Sequence, residues 1–186
     1  MKSFALIAAA SVVMSASADT VLSVDLSVVN EVTVIGTGGN SAATVSGSSF
    51  TGAYMADFFT GAGGTGFLDS QGVGGLTNTG NLSDGTPGIF NLVGHYGLNI
   101  WTWTAQTVNL TANSSAFESS ATWTVDSTVY ASMLAGNLTG EVFFAADTDD
   151  DIPSATYIGT WEVKVPAPSS VAILGLGGIV VGRRRR

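Results

Sequence analysis

Cysteine is absent from this 186-residue sequence, and charged residues make up only 11% of it. Without cysteine the chain has no disulfides, no thiolate metal sites and no cysteine nucleophile. Its stability must therefore come from strand pairing and apolar burial, which a chain of this length can supply without cross-links. The length predicts one domain.

Basic residues are also scarce. They are Lys2, Lys164 and the four arginines from Arg183 to Arg186. All 14 carboxylates lie between residues 19 and 165, where Lys164 is the only basic residue, so this part of the chain has a formal charge of −13. Because binding to phosphate backbones needs clustered lysine and arginine, the sequence argues against nucleic acid as a partner.

Signatures of catalysis are missing as well. His95 is the only histidine, so a serine hydrolase triad or a histidine-rich metal site would have to use it. The sequence contains no Gly-x-Ser-x-Gly nucleophile elbow, and no pattern singles out a carboxylate pair for glycoside hydrolysis. We therefore predict no catalytic residues and interpret His95 as a loop or strand-edge residue.

The N-terminus has the three parts of a secretory signal. Lys2 precedes an apolar run from Phe4 to Val13, and Ala16-Ser17-Ala18 follows. Small residues at Ala16 and Ala18 suit signal peptidase, which predicts that residues 1–18 are a signal peptide cut after Ala18. The alternative is a short buried N-terminal helix.

The C-terminus contains an apolar segment of 12 residues, from Val171 to Gly182. As a helix it would be about 18 Å long, against a hydrocarbon core of about 30 Å. Such a transmembrane helix is a marginal anchor, which suits temporary residence in the inner membrane. The arginines that follow, Arg183, Arg184, Arg185 and Arg186, are expected to stay cytoplasmic.

This tail resembles the PEP-CTERM sorting signal of bacteria. Pro166-Ala167-Pro168 is followed by the apolar AILGLGGIVVG and then by RRRR. Family members have glutamate between the two prolines, where this chain has Ala167. The resemblance covers residues 166–186 and implies a sorting signal that is processed by a membrane peptidase of the exosortase type. The alternative is an ordinary membrane anchor that is never cut.

The chain between these segments shows the pattern of strands. Val21 to Ile35 alternates apolar and polar residues except at Asn30, which predicts a bend between two strands. Further strands are predicted at 100–112, 121–126, 141–147 and 157–165. One short helix is predicted from Thr128 to Ala135, with Asp126 or Ser127 as N-cap and Gly136 at its end. The glycine-rich residues 61–88 predict a long surface loop or a loosely ordered insert.

These elements predict an all-β domain over residues 19–165. We expect an antiparallel β-sandwich with one short helix, and jelly-roll topology is one option. In the final strand, the odd-numbered residues from Tyr157 to Val165 are expected to face the core.

Two groups of residues are candidates for ligand binding. Tryptophans could stack on sugar rings, but each lies on the apolar side of its predicted strand, which favours core packing; they are Trp101, Trp103, Trp123 and Trp161. In the acidic stretch from residue 147 to 151, Asp147, Asp149 and Asp151 are candidate calcium ligands. The alternative for this stretch is a solvated acidic loop. No other cofactor is predicted.

Three functions are compatible with the sequence. The favoured one is an exported, non-enzymatic protein of the cell surface or extracellular matrix, held briefly in the inner membrane and then released or transferred. Its expected partners are signal peptidase and an exosortase-type peptidase. The second is a polysaccharide-binding module or adhesin, for which exposed aromatic side chains on one sheet face would be the distinguishing observation. A glycan-active enzyme is the least favoured.

Overall fold

The structure of this protein is a computed structural model that describes residues 18–61, 66–69, 72–80 and 87–164. Ala16 and the whole proposed sorting signal, residues 166–186, lie outside the described residues. For residues 66–69 only the backbone is discussed.

The described residues form twelve β-strands, one α-helix and one short 3-10 turn, which confirms an all-β fold with one short helix. The 3-10 turn is Asp149–Asp151 and the helix, α1, is Ser127–Leu134. The strands are β1 Thr20–Asp25, β2 Glu31–Gly36, β3 Val45–Ser48, β4 Ala53–Met55, β5 Gly66–Asp69, β6 Val73–Leu76, β7 Gly88–Asn91, β8 Leu98–Trp101, β9 Thr107–Leu110, β10 Ser119–Thr124, β11 Thr139–Phe144 and β12 Thr156–Lys164.

Ten strands pair into one continuous sheet in the order β5-β7-β8-β4-β11-β12-β1-β2-β10-β6, while β3 and β9 form a small second sheet. The predicted antiparallel pairing holds for every described strand pair except β1 and β12, which run parallel. Alternation of apolar residues reports which face of a strand is buried but carries no information on strand direction. The sheet is therefore mixed, and its continuity does not by itself confirm a sandwich or a jelly roll.

The large sheet curls around its own core. Its two edge strands, β5 and β6, are close in sequence, since Asp69 ends one and Val73 begins the other. Four residues span at most about 14 Å, so the two edges must lie near each other. The inner face carries fully buried side chains, among them Leu22, Val34, Ile100, Phe144 and Trp161.

Two local predictions are confirmed. Asn30 has a φ of 63° in the turn between β1 and β2, as a bend between two strands requires. Asp126 caps α1, because its Oδ1 accepts from the backbone N–H groups of Thr128 at 2.7 Å and Val129 at 2.9 Å. These bonds satisfy donors that have no partner inside the helix.

The prediction of one long loop over residues 61–88 is wrong, because this segment contains β5, β6 and the first residue of β7. β6 pairs with β10, although its glycines give the sequence no alternation from which a strand could be predicted. Gly74 in β6 has a φ of 113°, and a Cβ there would lie 2.5 Å from the Ser120 carbonyl oxygen. Only glycine fits such a close approach at positive φ. Glycine thus supports the strand pairing here.

Three other predicted strands differ from the structure. Residues 100–112 divide into β8 and β9, which belong to different sheets. β11 ends at Phe144, because Ala145 has a φ of 63°. In β12 a bulge shifts the register between Tyr157 and Gly159, so Ile158 is buried in the core where Tyr157 was expected. An extra residue in a strand reverses the faces on one side of the bulge.

The chain leaves the described domain at a defined end of the sheet. Lys164 at the end of β12 pairs with Asp25 at the end of β1. The turn after β1 and helix α1 lie at this same end, since the Tyr130 hydroxyl donates to the Leu26 carbonyl at 2.6 Å. Among the described residues no helix is long and apolar enough to cross a membrane.

Candidate functional site: an aromatic cleft on the outer face of the sheet

A row of large side chains crosses the outer face of five adjacent strands. The paired residues are Phe90 with Asn99, Asn99 with Tyr54, Tyr54 with Phe143, and Phe143 with Tyr157. The neighbours of Asn99 in β8, Leu98 and Ile100, point into the core, and successive strand residues alternate between faces. The outer face of this half of the sheet is therefore aromatic.

The row leads into a cleft of about 300 Å³. Phe50 comes from the turn before β4, Phe90 from β7, Trp101 from the end of β8 and Trp103 from the bend that follows. The polar side chains of Asn99 and Asp147 complete the lining. The volume lies at the small end of the range of about 300 to 1,000 Å³ that is typical of ligand pockets. We call this site the aromatic cleft.

Three of the four rings are arranged around the fourth, Trp101. Its ring centroid lies 5.6 Å from that of Phe50, 6.0 Å from that of Phe90 and 4.4 Å from that of Trp103. The corresponding interplanar angles are 89°, 72° and 64°. Edge-to-face contacts of this kind are favourable for aromatic pairs, and they give the cleft a floor and inclined walls.

The prediction that all four tryptophans pack in the core is wrong for Trp103. Trp123 and Trp161 are fully buried and Trp101 is 9% exposed, but 57% of Trp103 is exposed. β8 ends before Trp103 because Thr102 turns inward, where its hydroxyl lies 3.1 Å from the Ser49 hydroxyl and donates to the Thr104 carbonyl at 2.7 Å. Because the strand bends here, Trp103 no longer follows the alternation of faces on which the prediction was based.

Sequence reasoning also missed Phe50 and Phe90 as site residues. Phe50, which is 53% exposed, lies in a turn, and Phe90 follows the glycine-rich segment. The residues around these two positions do not alternate between apolar and polar, so the sequence does not indicate which way either side chain points. Only the pairing of β7 with β8 places Phe90 beside Trp101.

Asn99 fixes the two sides of the cleft. Its side chain is 1% exposed, and its Nδ2 donates to the Thr51 carbonyl at 2.9 Å and the Ala146 carbonyl at 2.7 Å. These bonds hold the residue after Phe50 and the residue before Asp147 against the same side chain. Within the described part of the chain, Asn99 Oδ1 has no hydrogen-bond partner.

Asp147 brings a carboxyl group with an altered acidity to the cleft. A hydrogen bond with the Asp151 side chain, and then partial burial, raise the pKa of Asp147 from 3.8 to about 6. The same contact lowers the pKa of Asp151. The two groups share a proton below this range, and at neutral pH Asp147 is mostly ionised.

A second acidic side chain, Asp149, fastens this loop to the sheet. Asp149 accepts from the Tyr54 hydroxyl at 2.5 Å and from the Tyr96 N–H at 2.8 Å, and its Oδ2 lies 3.5 Å from His95 Nδ1. Burial, followed by the bond to Asp149, raises the pKa of Tyr54. His95 thus lies in a loop, in contact with an aspartate that fastens this loop to the sheet.

The proposed calcium ligands do not converge. Asp151 accepts from the backbone N–H groups of Asp147 and Thr148, both at 3.2 Å, whereas Asp149 faces Tyr54. Across the described residues, no group of three histidine or acidic side chains is placed to hold a metal ion. Calcium needs several oxygens around one point, so calcium binding stays a prediction that a titration has to test.

The arrangement can bind a ligand that has apolar faces and hydrogen-bond donors. Exposed rings provide flat apolar contact, and the exposed acceptor is the Asp147 carboxylate. Comparison with protein family models, with curated proteins and with solved structures finds no match for this chain.

Proposed function

We propose that this protein is an exported, non-enzymatic protein of the cell surface or extracellular matrix that binds extracellular polysaccharide in the aromatic cleft. The observation that carries the proposal is the exposure of Trp103 and Phe50 beside Trp101 on one face of the sheet. Exposed aromatic side chains on one face are what distinguishes a polysaccharide-binding module from a surface protein without a ligand.

Sugar rings suit the chemistry of this cleft. Each ring presents C–H groups on its faces and hydroxyl groups around its edge. The C–H groups make favourable contact with the electron-rich faces of aromatic rings, and hydroxyl groups can donate to the Asp147 carboxylate. Clustered exposed aromatic residues are uncommon on a surface that binds nothing.

The position of the cleft supports the same function. Phe144 at the end of β11 pairs with Ala53, which pairs with Ile100 next to Trp101. The start of β11, Thr139, pairs with Glu162 near the end of the domain where the chain exits. The cleft therefore lies toward the end of the sheet opposite Lys164. If residues 166–186 anchor the protein, the cleft points away from the membrane.

Polysaccharide binding can be tested on the mature protein that cells export. Affinity electrophoresis in gels that contain neutral, amine-bearing or acidic polysaccharides would measure retardation of the wild type and of a Phe50→Ala/Trp103→Ala variant. We expect retardation that this variant loses. Val29→Ala is the matched control, because Val29 is also exposed but lies at the chain-exit end. Equal migration of wild type and the cleft variant in all gels would contradict the proposal.

Sorting needs a separate test, on the full chain in its cells. Replacing Arg183 to Arg186 with serine should release uncut protein, because the cations no longer fix the tail on the cytoplasmic side. Replacing Pro166 and Pro168 with alanine should instead leave uncut protein in the membrane, since a continuous helix would hide the backbone from a peptidase. Wild-type mass and location for both variants would contradict the sorting signal.

A further inference from the structure

We propose that the aromatic cleft selects a positively charged ligand: a sugar that carries an amino group, with its ammonium between the rings and the Asp147 carboxylate. This inference rests on the proposed function and names the ligand class of the same site. It depends on three features of the cleft, which are the angles of its rings, its charge and the kind of polar atom that it offers.

The ring angles favour a compact group over an extended stack. Phe50, Phe90 and Trp103 stand at 64° to 89° to the plane of Trp101. A long flat platform for several sugar rings would need rings that are nearly coplanar. Here four mutually inclined rings instead line one small volume, and aromatic cages that bind ammonium groups also surround a small volume with rings.

The charge of the cleft has the matching sign. Among the described residues that line it, Asp147 is the acidic one and none is basic. The chain from residue 19 to 165 has a formal charge of −13, so the surrounding field attracts cations and repels uronic acids, sulfates and phosphates. A carboxylate beside aromatic rings attracts an ammonium both by its charge and through the cation–π interaction with the rings. It binds a neutral sugar only through hydrogen bonds from hydroxyl groups.

The charged group that the cleft offers to a ligand, the Asp147 carboxylate, accepts hydrogen bonds. The amide nitrogen of Asn99 is already committed to the Thr51 and Ala146 carbonyls, and its Oδ1 is buried against Gly52. Asp147, when ionised, only accepts. A ligand that pairs with the Asp147 carboxylate must supply donors, and an ammonium supplies three donors and no acceptor.

The test compares oligosaccharides of equal length that differ in one substituent. Titration calorimetry on the mature protein would use chitosan oligomers, which carry free amines, and cellulose oligomers, which carry hydroxyl groups, with tetramethylammonium as a small cationic probe. We expect the amine-bearing oligomer to bind about tenfold more tightly, given the size of a cation–π and carboxylate contact. We also expect tetramethylammonium to compete with it.

Variants distinguish binding in the cleft from general attraction of a cation to the acidic domain. Asp147→Asn and Trp103→Ala should each weaken binding of the amine-bearing oligomer by about tenfold. Asp150→Asn removes the same charge from an exposed neighbour that does not line the cleft, and it should leave the affinity within about twofold. An equal loss in Asp150→Asn would mean unspecific attraction and would overturn the inference.

The failures of the two proposals are distinguishable. Equal affinity for the amine-bearing and neutral oligomers, lost in Trp103→Ala, would keep polysaccharide binding and overturn the selectivity. Absence of binding by any oligomer or polysaccharide would overturn both.

Discussion

Trp101 and Trp103 contact each other with ring centroids 4.4 Å apart, yet Trp101 is 9% exposed and Trp103 57%. Two residues that should share one face of a strand thus have different tasks. Trp101 is buried beneath the other rings and forms the floor of the cleft, while Trp103 lines the cleft with more than half of its surface exposed.

This difference predicts unequal costs of truncation. Trp103→Ala should lower the free energy of unfolding by about 1 to 2 kcal/mol, because more than half of this side chain is exposed and less buried area is lost than at a core tryptophan. Trp123→Ala should cost about 3 to 5 kcal/mol, since Trp123 is fully buried and its indole N–H donates to the Pro87 carbonyl at 3.1 Å. Urea unfolding measures both, and similar values would contradict the structure.

The bond between Tyr54 and Asp149 should stabilise the fold. Tyr54 is buried, and its hydroxyl also accepts from the Gly97 N–H at 2.9 Å. Tyr54→Phe therefore leaves that buried N–H without its acceptor and should cost about 1 to 3 kcal/mol. In a double-mutant cycle with Asp149→Ala, we expect the two losses to be less than additive. Additive losses would show that the two side chains do not interact in solution.

Stability should fall as pH rises through the range in which Asp147 ionises. Its folded pKa is raised to about 6 from 3.8, so its stabilising contribution is complete below about pH 4 and disappears above about pH 6. Solvent screening at this exposed site limits the effect to under about 1 kcal/mol. Asp151, whose pKa is lowered, acts in the opposite direction only at lower pH.

Asp147→Asn tests this assignment, because the amide keeps a neutral donor for Asp151 at every pH. Denaturant unfolding at pH 5 and pH 8 should give a smaller difference for this variant than for the wild type. The exposed control Asp150→Asn should keep the wild-type difference. An unchanged pH dependence in Asp147→Asn would refute the role of this contact.

Gly52 should be intolerant of a side chain. It has a φ of 83°, and a Cβ would lie 2.2 Å from the Ile100 carbonyl oxygen, 2.8 Å from Asn99 Oδ1 and 2.9 Å from Trp101 Cβ. Gly52→Ala should cost more than about 2 kcal/mol and weaken ligand binding, because backbone must move beneath the cleft. Gly38→Ala is the control, since Gly38 has a similar φ of 76° but no atom within 4 Å. Thermal unfolding compares the stability losses of the two variants. Equal losses would mean that backbone strain alone accounts for the cost of Gly52→Ala and that the close contacts do not matter.

Local sequence determined the parts of this fold that depend on near neighbours. Alternation placed β1, β2 and β10, Asn30 marked the turn between the first two, and Asp126 supplied the cap of α1, because each signal acts over a few residues. The all-β class followed from these elements. The formal charge of −13 over residues 19–165, on which the proposed ligand selectivity depends, is also a property of the sequence alone.

Tertiary structure decided the rest. The parallel pairing of β1 with β12, the strands within residues 61–88 and the bulge at Ile158 depend on partners that are distant in the chain. The cleft depends on them most, since Phe50, Phe90 and Trp101 come from three segments and meet only because β7, β8 and β4 pair in one register. Periodicity reports the face of one strand, but a site formed between strands requires the register of all of them.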